Sequence, residues 1–130
     1  MRKNVLCFVF VGMVAMAFAA HVWARDKATK DECVTKAKEA AKLVQEAGLE
    51  TALETLNDKN GPFVWKDTYV FCIDLEKQYN IAHPIKPGLI GKNLMGIKDV
   101  NGTMFFAEFI NKAKNEGEGW VSYMWPKPGE

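Results

Sequence analysis

Arginine, histidine and cysteine are all scarce in this 130-residue chain. The only arginines are Arg2 and Arg25, so no guanidinium fork is available inside a folded domain to clamp a phosphate or a carboxylate. The only histidines are His21 and His83, and the three cysteines stand far apart at 7, 33 and 72. No CxxC, CxxCH or clustered His/Cys spacing exists, which excludes a zinc knuckle or a covalently attached haem. No metal or other cofactor is expected. Lys+Arg total 17 against 16 Asp+Glu, with no basic stripe, so nucleic-acid binding has no support. Catalysis has no foothold either. No nucleophile stands beside a base in a recognisable motif, and "LIGKN" (89–93) lacks the earlier glycine and the following Ser/Thr of a phosphate loop. Repeats and low-complexity tracts are absent.

What is present begins with an export pattern. Arg2 and Lys3 precede an uncharged apolar run, Val5 to Ala20, and Val22-Trp23-Ala24 is a small-residue site suited to signal peptidase. Residues 1–24 read as a cleaved signal peptide. The run is short for a membrane span of about 20 residues, and an uncleaved anchor is the alternative. Cleavage leaves 25–130 as a single exported domain, with 15 basic residues against 16 acidic ones. Two cysteines remain in it. In an oxidising compartment a Cys33–Cys72 disulfide is the first expectation, with two buried free thiols as the alternative.

Aromatic residues are also missing from 25–62, and all eleven in 25–130 lie from Phe63 onward. The aromatic-free part is helical in pattern. "TKDE" (29–32) matches a capping box, and Cys33, Ala37, Ala40, Val44 and Ala47 draw one small-residue stripe. Gly48 interrupts it, a second amphipathic stretch follows, and "NDKNGP" ends that. The aromatic part begins with "TYVFCIDL" (68–75), a strand with both faces occupied. "EKQYN" is a turn, and 80–83 is a short returning strand ended by Pro84. Helical spacing resumes over Met104–Ala113, and "WVSYMW" (120–125) alternates as a third strand. The plan is α+β, an antiparallel sheet backed by a long N-terminal helix.

In this order, "YVFCIDLE", "AHPIKPGLIGKNL" and "NGTMFFAEFINKAKNEGEGWVSYMWPKPG" resemble the single Cache domain family, the extracytoplasmic PAS-like sensor domains of chemoreceptors and sensor kinases. The resemblance implies a pocket for small ligands, commonly organic acids, between the sheet and the loop-plus-helix segment, with 81–99 as lid and wall. It also implies further strands after "WPKP". Their absence before Glu130 raises the expectation of an open sheet edge, a homodimer through it, or a membrane receptor or kinase partner. If Cys72 faces the N-terminal helix, Tyr69, Phe71 and Ile73 face the other way, toward the pocket. Tyr69, Phe71, His83, Lys92, Phe106 and Tyr123 are the candidate ligand contacts, with His83, Lys92 and Tyr123 as polar handles for a small carboxylate. A second reading makes the fold a ligand-free interaction module that pairs through its open edge.

Overall fold

The computed structural model describes residues 5–9 and 26–129. Val5–Val9 form β1, and the rest of the proposed leader lies outside the described residues. Two helices follow, α1 over Lys30–Ala47 and α2 over Leu49–Asn57. The capping box expected at Thr29 forms. Its hydroxyl accepts the Glu32 N–H at 3.2 Å, and the Glu32 carboxylate accepts the Thr29 N–H at 2.9 Å. Two of the four orphan donors at the helix start are thereby satisfied. Gly48 separates the helices because the junction requires φ of +84°, a left-handed conformation that side chains disfavour.

The sheet follows. β2 (Val64–Trp65), β3 (Thr68–Asp74) and β4 (Tyr79–Ala82) are antiparallel, and every strand pairs with β3. β1 runs along one edge of β3, from Val5 opposite Asp74 to Val9 opposite Val70. β4 takes the other edge, one residue earlier in the chain than 80–83. A single turn of 3-10 helix, Pro87–Leu89, sits in the long loop after β4, and α3 spans Phe105–Glu116.

The central strand divides two cores. Pleat alternation sends Val70 and Cys72 to one face, where they pack with Ala40, Leu56, Phe63 and Ala82 beneath the two N-terminal helices. Tyr69, Phe71 and Ile73 go to the other, against Phe105, Phe106, Phe109 and Ile110 of α3. The small residues of α1 let it lie flat on the sheet. Most of the aromatics lie in the opposite layer, against α3.

Two expectations are corrected. Residues 120–125 form no strand. Their alternation survives, with Val121, Tyr123 and Trp125 turned inward and Trp120, Ser122 and Met124 outward, but among the described residues they join no ladder. Alternation records which side meets the core, whereas a strand also needs a partner backbone. The second correction concerns the cysteines. Cys33 is a free, buried thiol, and Cys72 is disulfide-bonded, so the Cys33–Cys72 bond is not present. Cys33 sits at the start of α1, within the field of Asp67, whereas Cys72 packs with Ala40. Burial, with Glu32 and Asp67 nearby, pushes the Cys33 thiol up to about 11, which makes it unreactive.

Candidate functional site

The pocket opens on the aromatic face of β3. Its floor is Tyr69 and Phe71 from the strand, its walls are Phe105, Phe106 and Phe109 of α3, and Leu89 and Leu94 close it from the loop. Tyr123 and Trp125 complete it from the C-terminal segment. The unfilled space is about 280 Å³, part of it open to solvent. The enclosed part is only about 20 Å³, room for about one water, so a small ligand requires the side chains that line it to shift.

Each polar group has a structural reason for its position. His83 follows β4, and its backbone N–H donates to Asn57 Oδ1 at 2.9 Å, which ties the residue to the end of α2. Its ring lies 5.8 Å from the Phe71 ring and 5.0 Å from Tyr69. Nδ1 accepts the Lys86 backbone N–H at 2.9 Å, so in the neutral ring the proton belongs on Nε2, which stands 3.3 Å from the Tyr69 hydroxyl. Burial, with a contribution from the Lys86 charge, lowers the His83 pKa to about 4, so the imidazole is neutral at pH 7. Burial likewise raises Tyr69 to about 12, opposed in part by a hydrogen bond from Trp125. Tyr123 stands well above its usual value because it is buried and faces Tyr69. All three groups are therefore uncharged at neutral pH.

Asp99 seats the C-terminal side of the pocket. One carboxylate oxygen accepts the N–H groups of Asn101 and Thr103, both at 2.9 Å, and the other accepts the Met124 N–H at 2.8 Å. These bonds hold the carboxyl below its ordinary pKa. Pinning Met124 places its neighbours on the pocket side, where Tyr123 stacks on Phe105 at 4.7 Å and meets Phe109 edge-on at 5.0 Å. At the rim the Lys86 ammonium lies 4.7 Å from the centre of the Trp125 ring.

Five of the six residues singled out from the sequence meet here: Tyr69, Phe71, His83, Phe106 and Tyr123. Lys92 does not. Its side chain is exposed and outside the pocket, and it serves the site through its backbone, whose carbonyl accepts the Asn80 N–H at 3.2 Å. The cation nearest the aromatic wall is Lys86 instead.

The sequence reading also missed Asn80. Alternation along β4 would place it on the helix side with Ala82, but the register shifts between the Ala82–Cys72 and Asn80–Ile73 pairs. The two β4 residues thereby oppose consecutive β3 residues that face opposite ways, and the irregularity turns Asn80 to the pocket face. No local sequence signal marks such a bulge. Among the described residues, no group of His, Cys, Asp and Glu could hold a metal ion.

Known proteins are similar to this chain in sequence and fold. The chain is 38% identical over 63 residues to the methyl-accepting chemotaxis protein McpP of Pseudomonas putida KT2440, a match covering 48% of this chain and 11% of that protein's length. A solved structure described as the periplasmic sensor domain of a chemotaxis protein superposes with a TM-score of 0.57 at 28% identity, covering 75% of this chain and 69% of the other. Another, from a study of carboxylic acid recognition by a Cache chemosensory domain, gives a TM-score of 0.56 at 32% identity, covering 73% and 66%. With its helix-backed sheet, its aromatic pocket and a match of residues 25–130 to the model for Single Cache domain 2, the chain belongs to that family of non-catalytic sensor domains.

Proposed function

We propose that the domain is an exported sensor module that binds a small organic acid in the aromatic pocket and acts through a separate membrane partner. The observation that carries this reading is the composition of the pocket. Its walls are apolar, its polar groups are the neutral hydroxyls of Tyr69 and Tyr123, the His83 imidazole and the Asn80 amide, and the Lys86 ammonium stands over the Trp125 ring. The hydroxyls can donate to a carboxylate, that of Tyr69 while its oxygen accepts from His83 Nε2–H, and a cation at the mouth offsets its charge without being buried itself. The likeness to a domain studied for carboxylic acid recognition supports the same ligand class.

Screening acetate, propionate and related short acids by thermal shift tests it. At least one is expected to raise the melting temperature, and Tyr123→Phe is expected to weaken that acid about tenfold, as for a lost hydrogen bond to a charged group. No stabilisation by any short acid would overturn the binding reading.

Export rests on the charged start, the apolar run and the Val-x-Ala site, and a periplasmic relative supports it. Intact-mass measurement of protein recovered from the periplasm is expected to show a chain beginning at Arg25. A mass that retains residues 1–24 would favour the anchored form. Removal of 1–24 takes β1 with it and uncovers the Val70–Asp74 edge of β3.

A further inference from the structure

Asn80 is 2% exposed and lines the pocket, and its side-chain oxygen has no hydrogen-bond partner. Its backbone is fully used: its N–H donates to the Lys92 carbonyl, and its own carbonyl accepts the Gly91 N–H at 2.7 Å. Only the side-chain amide is left with an unmet requirement. A buried acceptor with nothing to accept from is costly, and native proteins keep few of them. The register shift in β4 is what brings this polar group to the pocket face, opposite Ile73.

From this we infer that Asn80 is a specificity-determining residue, which selects carboxylates carrying a hydroxyl group over plain short-chain acids. The inference rests on the organic-acid reading above. The unpaired oxygen requires a donor, which acetate or propionate cannot supply in ionised form. An ammonium group could donate, but the pocket lining holds no carboxylate to neutralise it, so an amino acid would bury an unpaired charge. A hydroxyl donates without that penalty. Tyr69 and Asn80 also come from different parts of the sheet. Both line the one pocket, so a small ligand there can meet the amide together with a hydroxyl.

The experiment compares two matched pairs, glycolate against acetate and L-lactate against propionate, by calorimetric titration of the wild type and of Asn80→Leu. Leucine has nearly the shape of asparagine without its polar atoms. In the wild type each hydroxy acid is expected to bind at least tenfold more tightly than its plain counterpart. In Asn80→Leu the preference is expected to disappear, with hydroxy-acid affinity falling at least tenfold and plain-acid affinity unchanged or improved. The melting temperature of unliganded Asn80→Leu is expected to equal or exceed that of the wild type, because an unpaired buried acceptor is gone. Equal affinities within each wild-type pair, or a preference that survives the substitution, would overturn the Asn80 assignment and leave acid binding intact. Failure of all four acids to bind would overturn the assignment together with the organic-acid reading.

Discussion

Phe106→Ala is expected to lower the unfolding free energy by about 3–5 kcal/mol, the cost of removing a fully buried phenylalanine. Phe106 is 1% exposed and packs within the cluster that joins α3 to Tyr69, Phe71 and Ile73. No backbone element can move in to fill the space, because α3 is held at both ends: by the loop that Asp99 organises and by Gly117, whose N–H caps the Ala113 carbonyl. Since a domain of this size is stable by only about 5–15 kcal/mol, the variant should unfold at a much lower urea concentration. Val100→Ala is the control. Val100 is 87% exposed, and its truncation should change stability by less than about 0.5 kcal/mol. A Phe106→Ala loss below about 1 kcal/mol would contradict the packing of α3 on the sheet.

Acidification is expected to destabilise the protein through His83. Its folded pKa, about 4, lies below the ordinary 6.5, so the unfolded chain binds the proton more readily. The neutral imidazole therefore contributes stability that is fully present above about pH 6.5 and is lost as the pH falls toward 4. Between pH 7 and pH 5 the loss should be about 2 kcal/mol, from the free energy of 1.36 kcal/mol per pKa unit. Geometry gives the reason. Protonation would put a hydrogen on Nδ1, which faces the Lys86 N–H at 2.9 Å, and would charge a ring packed between Phe71 and Tyr69. Urea titrations at pH 7, 6 and 5 measure the slope, and His83→Gln should flatten it, although that variant is less stable at pH 7. A wild-type slope that matches His83→Gln would show that His83 is not buried as a neutral ring.

The helices and the central strand are legible in the sequence because they are governed by local rules. Thr29-x-x-Glu32 satisfies its own helix start, and Gly48 and the "NDKNGP" run punctuate the helices through backbone preference. The doubly apolar 68–75 run can only be a strand buried on both sides. Parity along it then places Tyr69 and Phe71 opposite Cys72, as the two cores show. Lys92 misleads for the same local reason. Glycine-flanked, it looks poised to bind an anion, yet the direction of its side chain depends on how the loop lies on β4, where its carbonyl is the group that bonds.

By itself the sequence determined what neighbours in the chain can settle: an α+β order, an aromatic-free helical layer facing an aromatic one, and the shared face of Tyr69 and Phe71 opposite Cys72. The tertiary structure decided everything that depends on two distant segments meeting. It denied 120–125 a ladder among the described residues while keeping its alternation, and it left Cys33 a free buried thiol. It left the Lys92 side chain exposed and set the Lys86 ammonium over the Trp125 ring, and through one register shift it turned Asn80 into the pocket. Periodicity fixes the face a residue presents, but register and contact are fixed only when the partner backbone is in place.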